Sequence, residues 1–143
     1  MPVRGGTLGH IVLNVRSLRV SEQFYRSILG MKVSARNRRT KMTFLSFGRE
    51  HHDVALVELA PGEKYRSGKG VEKLHHFCIY AQTSAEVDAL AAALKRRNIP
   101  VVSGPEILEI ARNRSVSFLD PDGNRVEVAC NANKFGFKPP KHS

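Results

Sequence analysis

The sequence predicts an α+β fold of two repeated modules, each a strand, a helix and three further strands. Three observations predict it. His10 opens the strand-like Gly9-His10-Ile11-Val12-Leu13-Asn14-Val15, and His76 opens His75-His76-Phe77-Cys78-Ile79-Tyr80-Ala81, 66 positions later. Each stretch leads into a helix-like segment whose apolar stripe keeps the same offset, Phe24 and Ile28 answering to Leu90 and Leu94. Each half then carries a late strand with a carboxylate, Glu58 or Glu127. Such a repeat can build one pocket from two half-sites, and two histidines with one carboxylate form a metal-binding set.

The elements follow in order. Residues 8–15 alternate around an apolar core and read as a strand. Ser17 can cap a helix running to about Leu29, with Phe24, Tyr25, Ile28 and Leu29 as its stripe and Gly30 as its stop. Two strands are expected at Lys32–Ala35 and Met42–Phe47, joined by a basic turn, and a fourth at Asp53–Leu59, ended by Pro61-Gly62. The segment from Glu63 to Lys73 is rich in Gly, Lys and Ser and reads as an exposed connection. In the second half, strand 75–81 precedes a helix from about Ala85 to Asn98. Thr83 followed by Glu86 matches a capping box there, and Val87, Leu90, Ala91 and Leu94 form the buried stripe. Strands near Val101–Val102, Ser115–Leu119 and Arg125–Cys130 complete the module, the last two joined by the turn Asp120-Pro121-Asp122-Gly123-Asn124. Residues 131–143 have little periodic apolar content and read as a tail.

Composition narrows the function classes. A chain of 143 residues with 41% apolar content suits one globular domain. It contains no apolar run near the roughly 20 residues that span a bilayer. The N-terminus lacks the long apolar core of a secretory signal, so a cytoplasmic location is the expectation. Cys78 and Cys130 fall in apolar strands and read as buried thiols rather than a disulfide framework. The net charge of +10 raises nucleic acid as a partner. The cations are spread out, with one modest cluster at Arg36, Arg38, Arg39 and Lys41 and no nucleic-acid motif beside it, so a nucleic-acid role is not expected. An anionic small-molecule substrate fits the basic excess equally well.

Strand alternation sorts the polar residues. Ile11, Leu13 and Val15 would pack on a helix, leaving His10 and Asn14 on the other face. The same period sets Phe77, Ile79 and Ala81 against His76, Cys78 and Tyr80, and Val126 and Val128 against Arg125 and Glu127. Both histidines and Glu127 thus point away from the helices. His52 and Glu58 would share a face if no bulge intervenes. Two curved sheets with helices outside would turn these faces into a cup.

Three segments carry a family resemblance: Gly9 to Val15, Phe24-Tyr25-Arg26-Ser27-Ile28-Leu29-Gly30-Met31-Lys32, and Asp120-Pro121-Asp122-Gly123-Asn124-Arg125-Val126-Glu127. They resemble the vicinal oxygen chelate superfamily, which includes glyoxalase I, extradiol ring-cleaving dioxygenases, epimerases and antibiotic-resistance proteins. The resemblance covers roughly residues 7–130. It implies one domain of two βαβββ modules, 7–62 and 73–130, forming a cupped, barrel-like mixed sheet with helices outside, around a divalent metal. By resemblance His10 and His76 match the ligands on the first strands of the modules, and Glu127 matches the carboxylate ligand on the last strand. Neutral imidazole and carboxylate suit borderline divalent metals, and three protein ligands leave positions for substrate. Such a set favours Fe(II), with Ni(II), Co(II), Zn(II) or Mn(II) as alternatives. His75 is the second choice beside His76, since alternation sends it toward the helix.

His51-His52-Asp53-Val54-Ala55-Leu56 resembles the extradiol segment that carries a pocket histidine, which makes His52 the acid–base residue. The plain alternative is a pair of turn histidines before a strand. Two departures stand against the dioxygenase pattern: Ser117 occupies the position of a substrate-contacting tyrosine, and Leu108 that of a further histidine. Glu58, in Leu56-Val57-Glu58-Leu59, matches the fourth metal ligand of glyoxalase I, or serves as a pocket carboxylate paired with an arginine. The expected function is therefore a metal-dependent extradiol-type dioxygenase. The alternatives are a glyoxalase-type lyase or isomerase, and a metal-free binding or resistance protein. The resemblance also implies a homodimer, with the site within one chain or across two.

Overall fold

The computed structural model describes residues 7–65, 74–108 and 113–130. The chain divides into two compact units, Met1–Ser67 and Gly68–Ser143. The expected connection from Glu63 to Lys73 falls outside the described residues from 66 onward, and the expected tail at 131–143 lies outside them entirely.

The first unit runs β1 (Ile11–Val15), α1 (Leu18–Leu29), β2 (Lys32–Asn37), β3 (Met42–Ser46) and β4 (Val54–Glu58). Its sheet has the order β1-β4-β3-β2, with β1 parallel to β4 and the other neighbours antiparallel. The crossover through α1 is what allows the parallel pair, because parallel neighbours need a long connection. Ser17 caps α1, its hydroxyl accepting from the Val20 N–H, and Gly30 ends it at φ 69°, a left-handed conformation that glycine adopts freely. The predicted stripe is deepest at Tyr25, which is fully buried; Phe24, Ile28 and Leu29 are half-buried. Leu13, Val15, Leu45, Val54 and Leu56 fill the core between α1 and the sheet, each contributing about 1.5–3 kcal/mol by leaving water.

The second unit repeats this order: β5 (Phe77–Ala81), α2 (Ser84–Arg96), β6 (Val101–Leu108), β7 (Asn113–Leu119) and β8 (Arg125–Cys130), arranged β5-β8-β7-β6. Thr83 and Glu86 form the predicted capping box. Val87 and Leu94 are the buried residues of α2 and pack with Val116, Phe118, Val126 and Val128. Asp120 closes the last hairpin, its carboxylate accepting from the backbone N–H groups of Asp122 and Asn124 and from the Asn124 amide.

These are the two βαβββ modules of the sequence prediction, with a helix against one face of each mixed sheet. Neither sheet closes on itself; β1 and β2 are the edges of one, β5 and β6 of the other. Three strands are longer than expected: β2 runs on to Asn37, β7 begins at Asn113, and β6 differs most. β6 continues past Gly104-Pro105 to Leu108, where the sequence pattern ended it at Val102. An edge strand needs no donor on its outer side, so proline is tolerated there. Among the described residues, no helix is long and apolar enough to cross a membrane.

Candidate functional site

In the second unit the parallel register of β5 and β8 decides the geometry. Cys78 lies beside Glu127, which places Glu127 on the face that carries His76, two residues before Cys78. His76 Nε2 stands 2.9 Å from Glu127 Oε2, and the Glu127 side chain is 13% exposed, so this carboxylate is largely withdrawn from water. The other ring nitrogen of His76, Nδ1, stands 2.7 Å from His75 Nδ1. One proton shared between those two nitrogens would orient the His76 ring and leave Nε2 turned to the carboxylate. Two borderline-metal donors are thus already side by side, which fits the donor chemistry of a divalent cation.

Glu127 has Cys78 on one side and the buried Ser117 on the other, across β7. The Cys78 thiol is pushed up to about 12, first by burial around its sulfur and then by the charge of Glu127, although the residue keeps an exposed edge. It remains a neutral thiol rather than a nucleophile. Arg125 precedes Glu127 on the same face by strand alternation, and its Nε is buried without a hydrogen-bond partner among the described residues. That donor is left unused close to the His76–Glu127 pair.

In the first unit the histidines cluster at the start of β4. The His10 and His52 rings are 4.4 Å apart between centroids, and His51 Nδ1 stands 2.8 Å from His52 Nδ1. Phe44 of β3 meets the His52 ring edge-on at 4.9 Å. The register Phe44↔Ala55 and Val12↔Ala55 puts Phe44, Ala55 and Val12 on one face, the one that strand alternation also gives to His10. His52 is held below its ordinary value chiefly by desolvation, then by His10 and His51, with Asp53 pulling weakly the other way. It is therefore neutral at neutral pH and can accept a proton.

Glu58 sits elsewhere. The parallel register pairs it with Val15, whose side chain is fully buried on the helix side. Its Oε2 accepts from the Leu18 N–H at 2.8 Å, and its Oε1 lies 3.9 Å from Lys41 Nζ. The carboxylate is spent on the first turn of α1, where the helix N–H groups have no partner of their own. The expected shared face of His52 and Glu58 does not form, because strand alternation starts only at Val54, after the bend at Asp53.

The repeat shows which residue of the first unit answers to Glu127. Two residues after each leading histidine, Cys78 pairs with Glu127 and Val12 pairs with Ala55. The counterpart of the buried carboxylate is thus the methyl group of Ala55, three residues before Glu58. Within neither unit, among the described residues, do three or more His, Cys, Asp or Glu side chains group to hold a metal.

A family model described as the glyoxalase/bleomycin resistance protein/dioxygenase superfamily matches residues 7–128. The chain belongs to that superfamily. Within this glyoxalase/dioxygenase superfamily it is 30% identical over 125 residues to the 2,2',3-trihydroxybiphenyl dioxygenase of Sphingomonas paucimobilis, covering 85% of this chain and 40% of the relative. It is also 30% identical over 87 residues to the metapyrocatechase of Pseudomonas sp. (strain CF600), covering 61% of this chain and 25% of the relative. The chain thus spans less than half the length of both. Among solved structures, the lactoylglutathione lyase from Agrobacterium tumefaciens superposes with a TM-score of 0.68 at 26% identity, covering 94% of this chain and all of that one.

Sequence reasoning missed two residues of these faces. Phe44 read only as a strand apolar, and its place on the His52 face becomes visible once β3 is paired with β4. Arg125 was legible as a neighbour of Glu127 on an alternating strand, but its unsatisfied Nε was not.

Proposed function

We propose that this chain is a divalent-metal-dependent enzyme of the extradiol, ring-cleaving type, acting on a small catechol-like substrate. In this reading His10, His76 and Glu127 hold the metal, Fe(II) being favoured, and Glu58 stays with α1. One observation carries the choice. The position in the first unit that answers to Glu127 is Ala55, while Glu58 is engaged by the Leu18 N–H. A three-donor set leaves room for two vicinal substrate oxygens and dioxygen, which a fourth carboxylate would restrict. The similarity to two dioxygenases supports the same reaction class.

The bound metal would supply a docking point for the substrate oxygens and a route for electrons to dioxygen. The protein's own residues do the rest. His52, kept neutral and in the tautomer that donates Nδ1–H to His51 Nδ1, would accept a catechol proton at Nε2 and return it during ring opening. Phe44 holds the His52 ring from the side. The outer part of the half-buried Arg125 guanidinium, on the Glu127 face by strand alternation, would receive a carboxylate or other anionic substituent, in keeping with the net charge of +10. We take the working form to be a homodimer in the cytoplasm, with no nucleic-acid or membrane partner.

The test is elemental analysis of protein purified without a metal-binding tag, followed by oxygen uptake with iron and a panel of catechols. Uptake lost in Glu127→Gln and reduced in His52→Asn supports the reading. A fully iron-loaded protein that consumes no oxygen with any catechol overturns it. A glyoxalase-type lyase is the second reading, favoured by the structural similarity to a lactoylglutathione lyase. It predicts activity with Ni(II), Co(II), Zn(II) or Mn(II) without oxygen, and loss of turnover in Glu58→Gln.

A further inference from the structure

The helix side of the first unit, opposite the His10 face, carries a groove of about 1040 Å³ between α1 and β2. Four cations line it: Arg19 and Arg26 from α1, Lys32 and Arg36 from β2. A single carboxylate, Glu22, stands among them. Its Oε1 accepts from Arg36 Nη2 at 2.5 Å and from Arg26 Nη1 at 3.4 Å. Its Oε2 accepts from Arg36 Nε at 3.4 Å and from the hydroxyl of the buried Thr43 at 3.2 Å. Burial alone would raise the Glu22 carboxyl, but Arg36, Thr43 and Arg26 together bring it below its ordinary value, so it stays ionised.

Glu22 therefore acts as an anchor. Tied to the sheet through Thr43, it fixes one edge of the Arg36 guanidinium, while the arginine side chain remains 51% exposed. A guanidinium has five N–H donors, and those not used by Glu22 can serve an incoming anion. Arg19 and Lys32 have no carboxylate partner among the described residues. Four cationic residues against one carboxylate leave the groove basic, with two of them already paired to Glu22. Arg36 pairs with Thr43, which lies in register with Leu56 and Leu13 on the helix side, away from His10 and His52; Lys32 pairs with Ser46 and so leaves the sheet edge from the other face.

We propose that this groove is a binding site for a small polyphosphate, separate from the histidine-bearing faces. The charge left in the groove matches a compact anion with several negative groups better than a single phosphate. The groove is lined by one helix and one strand of the first unit, a short site that suits a compact ligand better than an extended nucleic-acid backbone. Arginine forks and a lysine are the donors that phosphate oxygens take best. The site also gives a use to Arg36, the first residue of the basic cluster that continues through Arg38, Arg39 and Lys41.

Calorimetric titration of the whole chain with inorganic tripolyphosphate at about 0.15 M salt tests the proposal, since nonspecific surface attraction is largely screened there. Saturable binding of one ligand per chain is expected. The double variant Arg19→Gln/Lys32→Gln should weaken it by about tenfold or more, the loss of two charge-assisted contacts. Both residues are exposed and have no ion pair among the described residues, so the variant should melt like the parent. Lys95→Gln/Arg96→Gln, on the exposed last turn of α2, removes the same charge elsewhere and should change affinity by less than about twofold. No saturable binding, equal weakening by both double variants, or tighter binding of a DNA or RNA oligonucleotide would overturn the proposal. The metal-dependent reading of the histidines rests on other residues and would be untouched.

Discussion

Replacing Glu58 separates its structural role from a metal-binding one. Its Oε2 accepts from the Leu18 N–H at 2.8 Å, at the first residue of α1. That N–H has no acceptor inside the helix, so loss of the carboxylate leaves it to water or to nothing. Removing a helix cap of this kind costs about 0.5–2 kcal/mol, and removing a negative charge from a helix N-terminus costs about 0.3–1 kcal/mol. The side chain is 29% exposed, so water recovers part of the loss, and the 3.9 Å approach of the exposed Lys41 adds little. Glu58→Ala should therefore lower stability by about 1–2 kcal/mol, or several degrees in Tm for a chain of this size. Glu58→Gln keeps an acceptor oxygen and should lose only the charge–dipole part, below about 1 kcal/mol. The assay pairs urea unfolding of the metal-free protein with a metal titration against a chromophoric chelator. Both variants should bind metal like the parent, within about threefold, since even outer-shell partners of a metal site are worth about 10–100-fold. Parental stability in Glu58→Gln together with a tenfold or greater loss of metal affinity would refute the reasoning and move Glu58 into the ligand set.

Three further outcomes can be checked. His52 should titrate below ordinary histidine in NMR spectra of the metal-free protein, because desolvation, His10 and His51 disfavour its charge. Between the lowered folded value and the ordinary one the unfolded chain binds the proton and the folded chain does not. Stability is therefore full above the ordinary histidine value and falls as pH drops through that window, and His52→Asn should flatten this dependence; a midpoint at or above free histidine would contradict it. The Glu22 carboxyl is held below its ordinary value, so its contribution is complete above the ordinary carboxylate range and is lost as pH falls through the folded value. Acid unfolding of Glu22→Gln should accordingly begin from a less stable protein but show a shallower acid limb, and an unchanged limb would exclude the interaction. Gly104→Ala should be far more costly than Gly123→Ala. Both glycines have positive φ, 80° and 84°, but a Cβ at Gly104 would collide with the Ser115 carbonyl oxygen, whereas Gly123 faces open space. Backbone conformation alone costs about 1 kcal/mol, so equal Tm losses in the two variants would remove the clash from the explanation.

Much of this protein was determined locally along its chain. The helix caps at Ser17, Gly30 and Thr83–Glu86, the turn from Asp120 to Asn124, and the buried positions at Tyr25, Val87 and Leu94 depend on neighbours a few residues away. Strand alternation likewise put His76 and Glu127 on one face, and the β5–β8 pairing sets them 2.9 Å apart. The tertiary structure alone decided the rest. Glu58 was ambiguous because its side depends on where alternation begins after His52 and on how β4 registers with β1, and a shift of one residue exchanges the two faces of a strand. The pairing of Val15 with Glu58 sends that carboxylate to the helix and leaves Ala55 as the counterpart of Glu127. Phe44 beside His52 and Glu22 among Arg26, Arg36 and Thr43 join residues from separate elements, and no spacing rule along the chain encodes such contacts. Periodicity and capping act within a few residues; parallel register is a balance of burial and hydrogen bonding struck only when the distant strands meet.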